Sequence, residues 1–134
     1  MRFLDSNIWL YASMRGQDPG KRRKAMASIR AGDLAASIQV INEVCSNLVR
    51  KAGYDGPKLL RVIDACYRRA VIVPTTRQTI TKAVELRGRY SLSFWDSQLV
   101  ACALLAGCTI LESEDMQDGL VIDGTLTIRN PFAA

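Results

Sequence analysis

The feature that most constrains this chain is an alternation of short apolar runs with longer stretches of helical spacing, each closed by its own stop signal. RFLD reads as a short strand, and SNIWLYASM after it carries apolar residues at helical intervals. Asp18 and Pro19 open the next helix, the acid as N-cap and the proline in the first turn, and Gly32 closes it. A second strand covers Leu34 to Ala36; Ser37 then caps a helix that runs to about Ala52 and stops at Gly53. Pro57 starts the helix KLLRVIDACYRRA, which leads into the strand VIV and a break at Pro74. A further helix spans roughly Arg77 to Arg87. Ser93 caps FWDSQLVACALLA, Gly107 ends it, and CTIL is the next strand. LVI and LTI are two strand-like stretches near the end. No repeat, low-complexity segment or linker interrupts the series, so residues 1–134 read as a single domain.

This pattern predicts an α/β fold: a mostly parallel, short-stranded sheet flanked by helices as an α/β/α sandwich. Such sheets bind ligands at the carboxyl edge of their strands, where each following helix begins. A site is therefore expected at that edge.

The acids stand out against this background. Asp5 is the only charge between Arg2 and Arg15, Glu43 the only one between Asp33 and Arg50, and Asp96 the only one between Arg89 and Glu112. Each is a lone carboxylate in a segment that otherwise reads as core, and burying one without a partner costs several kcal/mol. Asp5 ends the first strand, Glu43 lies near the second turn of a helix, Asp96 is in a first turn, and Asp115 follows the CTIL strand. All four point to one edge of the sheet. Each also has a structural reading: Asp5 as a helix cap, Asp96 as the acid of a capping box begun by Ser93, Glu43 as a partner of a distant arginine, and Asp115 as a solvated turn residue in ESEDMQDG.

Clustered carboxylates repel unless a cation lies between them. The chain has no histidine, and no lysine occurs in these segments, so a hard divalent cation with oxygen ligands, Mg²⁺ or Mn²⁺, is the natural partner. The missing histidine also excludes imidazole-dependent triads and histidine acid–base cleavage of RNA. No glycine-rich phosphate loop is present. Metal-assisted hydrolysis remains, with metal-activated water attacking a phosphodiester.

The other bulk properties fit. With no signal-like start and no apolar run longer than Leu99 to Ala106, the expected location is the cytoplasm, with no membrane partner. Cys45, Cys66, Cys102 and Cys108 form no C-x-x-C pair and are expected to be free thiols in apolar surroundings. The net charge of +5 includes basic clusters at Lys21–Lys24, Arg50–Lys51, Arg68–Arg69 and Arg87–Arg89. They suit either an anionic partner such as RNA or solvated helix faces and helix ends.

LDSNIWLYA at the start, INEV around Glu43, SFWDSQLVACALLAGCTIL around Asp96 and SEDMQDG around Asp115 together resemble the PIN-domain nucleases. More narrowly, the chain resembles the VapC toxin ribonucleases of bacterial type II toxin–antitoxin modules. The likeness runs over the whole chain, and the closing RNPF also fits. The resemblance implies an endoribonuclease dependent on Mg²⁺ or Mn²⁺. It makes Asp5 and Asp96 the principal metal ligands, Glu43 a ligand directly or through water, and Asp115 the fourth acid. Ser6 and Asn7 would support Asp5, Ser113 would sit beside the site, and Asp118 could share or take the fourth role. It further implies an RNA substrate, a homodimer and inhibition by a small cognate antitoxin of the VapB type. Ile8, Trp9, Tyr11 and Met14 on the first helix are candidates either for an exposed groove that such an inhibitor grips or for core and dimer contacts. The alternatives are a receiver-like signalling module and a non-catalytic RNA-binding domain.

Overall fold

The computed structural model describes residues 1–133, and its elements follow the alternation read from the sequence. They are β1 (Arg2–Leu4), α1 (Ser6–Ser13), α2 (Pro19–Arg30), β2 (Leu34–Ser37), α3 (Ile38–Ala52), α4 (Gly56–Arg69), β3 (Ala70–Val73), α5 (Arg77–Tyr90), α6 (Phe94–Leu105), β4 (Ile110–Glu112), β5 (Val121–Ile122) and β6 (Leu126–Arg129). One six-stranded sheet has the order β3-β2-β1-β4-β6-β5. Every pairing is parallel except β5 with β6, whose connection carries Asp123 and Gly124, both at positive φ. The helices pack in two groups, with contacts running α1–α2, α1–α3 and α3–α4 in one and α5–α6 in the other. This order differs from the 2-1-3-4-5 order of receiver-like modules, which removes that alternative.

The expected caps form. The side chains of Asp18, Ser37 and Ser93 each accept from a backbone N–H in the first turn of their helix. Gly53 takes the left-handed conformation and returns its N–H to the carbonyls of Leu48 and Val49, which closes α3. Helix α5 runs to Tyr90, further than expected, because Ser91 adopts a left-handed φ of 54° and ends it without a glycine.

The core is built on the strands by Phe3, Leu4, Leu34, Leu111, Ile122, Leu126 and Ile128. Ile8, Val40, Val44, Leu48 and Leu86 cover it from the helices. Helix α6 is buried continuously from Ser97 to Ala103, so it has almost no polar face. The four cysteines are free, and Cys66, Cys102 and Cys108 are buried, as their neighbourhoods implied.

The two readings of Ile8, Trp9, Tyr11 and Met14 divide: Ile8 belongs to the core, whereas Trp9 borders a groove between α1, α2 and α4, and Tyr11 and Met14 border a smaller one beside Asp115. Ile8, Trp9 and Met14 are buried, and Tyr11 packs edge-on against Phe132 at 5.2 Å. A two-turn helix this close to the sheet turns its larger apolar side chains inward.

Candidate active site

The strand order doubles back between β1 and β4, the neighbours at the centre of the sheet. The crevice beyond their carboxyl ends is where open α/β sheets place ligands. Asp5 leaves β1 directly into this crevice, and Ser113 and Asp115 enter it just after β4.

Asp5 is only 7% exposed and is held by two donors. The Ser6 N–H donates to its Oδ1 at 2.6 Å, making Asp5 the N-cap of α1, and the Ser113 hydroxyl donates to its Oδ2 at 2.8 Å. The capping reading and the site reading therefore describe the same carboxylate. Burial pushes Asp5 up to about 6, against the lowering effect of these bonds, and the negative charges of Glu43 and Asp96 add to the rise. Asp96 is also raised, first by burial and then by Asp115 and Glu43, while the Ser93 hydroxyl holds it down. Ser93 accepts from the Asp96 N–H at 3.1 Å, so the cap is made by the serine to the backbone.

Asp5 thus lies within electrostatic range of Glu43 and Asp96, and Asp96 within range of Glu43 and Asp115, from four separate places in the chain. Asn7 donates through Nδ2 to Asp115 at 3.2 Å, and its Oδ1 is buried without a partner. Ser113 also accepts from the N–H groups of Asp115 and Met116 at 3.3 and 3.4 Å, which ties the loop carrying Asp115 to Asp5. Asp118 is not brought into the cluster: its Oδ1 accepts from the Asn130 N–H at 2.9 Å and pins the exit from β6.

The basic clusters divide. Lys21 bonds Glu114 and Tyr11 and is pushed up to about 12, first by Glu114, so it stays charged and engaged. Arg89 pairs with Glu85 and Asp123. Arg23, Lys24 and Arg87 remain exposed.

Gln39 escaped the sequence reading. It lies one turn before Glu43 and donates through Nε2 to Glu43 Oε1 at 3.1 Å and to the Trp95 carbonyl at 3.2 Å. The available signal was its spacing of four residues on the same face of α3.

The donor set fits a hard cation. The charges acting on Asp5 and Asp96 are other carboxylates, the ligands on offer are oxygens, and the Asn7 carbonyl is an unused acceptor. Among the described residues no three acidic or thiol side chains yet close on one point tightly enough to hold a metal.

Ser113→Ala tests how far the site depends on its support. Ser113 is fully buried, so its loss leaves Asp5 with one donor and frees two N–H groups of the loop. The expected cost is about 1–3 kcal/mol in denaturant unfolding, with Asp5 titrating still higher by NMR. Unchanged titration of Asp5 would show that the serine does not hold it.

The chain matches the PIN domain family model over residues 2–117. No curated protein matches it significantly. Among solved structures it is similar to a toxin–antitoxin complex chain from Klebsiella pneumoniae, with 21% identity, a TM-score of 0.74 and 100% of both chains covered. It is similar to VapC20 from Mycobacterium tuberculosis, a Sarcin-Ricin loop cleaving toxin, at 17% identity and a TM-score of 0.69, covering 83% of this chain and 87% of that one. A third is VapBC2 from Rickettsia felis, bound to a DNA fragment from its promoter, at 16% identity and a TM-score of 0.68, covering 96% and 97%. These likenesses agree in fold, and with most of its length matched the chain belongs to the PIN domain family.

Proposed function

We propose that the chain is an Mg²⁺- or Mn²⁺-dependent endoribonuclease, the toxin of a type II toxin–antitoxin module. The observation that carries this reading is the convergence of four carboxylates at the β1–β4 crevice, with Asp5 buried and its acidic neighbours raising it further. Family membership and the toxin identity of the structural neighbours support it.

Asp5 and Asp96 would be the principal metal ligands, Glu43 a direct or water-bridged ligand, and Asp115 the fourth acid. Ser113 and the Ser6 N–H fix the direction of the Asp5 carboxylate, Asn7 fixes Asp115, and Gln39 fixes Glu43. A bound divalent ion supplies a Lewis acid that activates water and offsets charge on the phosphodiester. The deciding experiment is cleavage of RNA by the purified protein with Mg²⁺ or Mn²⁺ and with EDTA. The expected products carry 5′-phosphate and 3′-hydroxyl ends, because water attacks instead of the 2′-hydroxyl. Cleavage that persists in EDTA, or 2′,3′-cyclic phosphate ends, would overturn the reading; metal-dependent binding without cleavage would return the chain to a non-catalytic RNA-binding role.

The same reading includes a homodimer, a cytoplasmic location and a small protein inhibitor. A groove of about 830 Å³ between α1, α2 and α4 suits that inhibitor. Its floor includes Trp9, Met26, Ile29 and Val62, and Arg15, Arg30, Lys58, Arg61 and Arg69 also line it. Trp9 Nε1 is buried there without an acceptor. Apolar floor and cationic lining together fit an acidic amphipathic segment. Lys58→Glu with Arg61→Glu is expected to weaken the toxin–antitoxin complex at least tenfold, read by titration calorimetry, with RNA cleavage unaffected. Equal affinity would place the inhibitor elsewhere.

A further inference from the structure

We propose that Trp95 and the amide-lined hollow beside it form a base subsite that stacks one nucleotide next to the cleaved bond and so sets which nucleotide the acids address; this rests on the nuclease reading above. Trp95 stands in the first turn of α6 next to Asp96, and its side chain is among the exposed apolar groups at 62%, whereas Trp9 is only 5% exposed. The indole is steadied by Phe94, whose ring meets it edge-on at 5.4 Å and 80°. A flat, presented aromatic face beside the acids is what a nucleobase stacks on.

The surroundings distinguish this surface from a plain apolar patch. The hollow measures about 470 Å³, within the usual range for small-ligand sites of roughly 300–1,000 Å³. Gln39, Asn42, Gln98 and Thr75 bring amide and hydroxyl groups to it, and Ile38 supplies an apolar side. Asn42 is exposed, so its amide is open to solvent beside the indole. Amides offer donors and acceptors together, which is the complement of a base edge. Glu43 also lines the hollow and no lysine or arginine does, so the lining suits a base edge and disfavours a phosphate.

Gln39 joins the two places. One Nε2 spans the Trp95 carbonyl and Glu43 Oε1, so the hollow and the acid cluster share a wall. A base held on Trp95 therefore belongs to a nucleotide close to the phosphate over the acids. A paired base cannot be splayed out onto this face without first breaking its duplex, so a duplex of the same sequence serves as the control in which the subsite stays empty.

Trp95→Ala and Trp95→Phe, assayed on an unstructured RNA and on the same sequence closed in a duplex, test the subsite. Trp95→Ala is expected to raise KM for the single strand roughly tenfold with a smaller change in kcat, and Trp95→Phe to restore most of the loss. An abasic nucleotide next to the cleaved bond should make wild type and Trp95→Ala equal. In Asp5→Asn protein without metal, the single strand should quench Trp95 emission and the duplex should not. Equal KM for Trp95→Ala and wild type overturns the subsite. So does a Trp95→Ala protein that sediments as a smaller species while binding RNA normally, which assigns the face to contact between copies. If wild type cleaves no RNA yet single strands still quench Trp95, the nuclease reading fails and the base subsite stands.

Discussion

Changing Asp5 or Asp96 to asparagine is expected to lower RNA cleavage by roughly three orders of magnitude while the fold persists. Asparagine matches the shape of the carboxylate but is a poor ligand for a hard cation. Little else is lost at either position. At residue 96 the Ser93 hydroxyl bonds the backbone N–H, which asparagine keeps. At residue 5 the amide oxygen can still accept from the Ser6 N–H, and Ser113 can rotate to accept from the new NH₂. The burial of Asp5 makes the contrast sharper, because removing a charge that burial disfavours should stabilise the metal-free chain. Circular dichroism and thermal melts alongside the cleavage assay separate loss of chemistry from loss of fold. Cleavage near the wild-type rate in both variants would remove the acid cluster from the mechanism.

Chelation and pH should act on the same carboxylate. Folding raises Asp5 from 3.8 to about 6, so the folded metal-free protein holds that proton more tightly than the unfolded chain does. The stability this provides is complete below 3.8 and is lost as pH rises through about 6. A shift of this size corresponds to about 3 kcal/mol. Other carboxylates run the opposite way as pH falls, notably Asp123, which Lys82 holds below the usual carboxylate range, so the measurement is the difference between wild type and Asp5→Asn. In EDTA wild type should lose stability relative to Asp5→Asn as pH climbs through this window. Added Mg²⁺ should recover it above about 6 and have little effect below, where protons compete for the same oxygens. Parallel curves for the two proteins would mean that Asp5 does not titrate in this window.

Most elements could be read in the sequence because their limits are set locally. Asp18, Ser37, Ser93 and Gly53 act through backbone groups within a turn of themselves, so their types and spacing suffice. Asp5, Glu43 and Asp96 were legible for a related reason: a lone charge in an apolar segment needs a partner wherever the chain goes. What each acid of ESED would meet was not legible. Glu112 finds Arg2, Ser28 meets the same carboxylate, and Glu114 finds Lys21, all through contacts distant in sequence. Only Asp115 of that run joins the cluster, and nothing local separates it from Asp118. The inward turn of Ile8 and Met14 likewise depends on packing between elements, which helical spacing alone does not orient.

The continuous burial of α6 has a consequence for how motion is distributed around the acids. A helix covered on nearly every side opens only with the whole molecule, so its amides should exchange with solvent last. Asp96 is rooted in its first turn, whereas Asp115 is exposed and lies in the segment between β4 and β5. Exchange is thus expected to be slower along α6 than at the exposed positions of that segment, Asp115 and residues 117–119. A cation bridging Asp96 and Asp115 would spend part of its binding free energy on ordering residues 113–118, and deuterium uptake there should fall while uptake in α6 stays level.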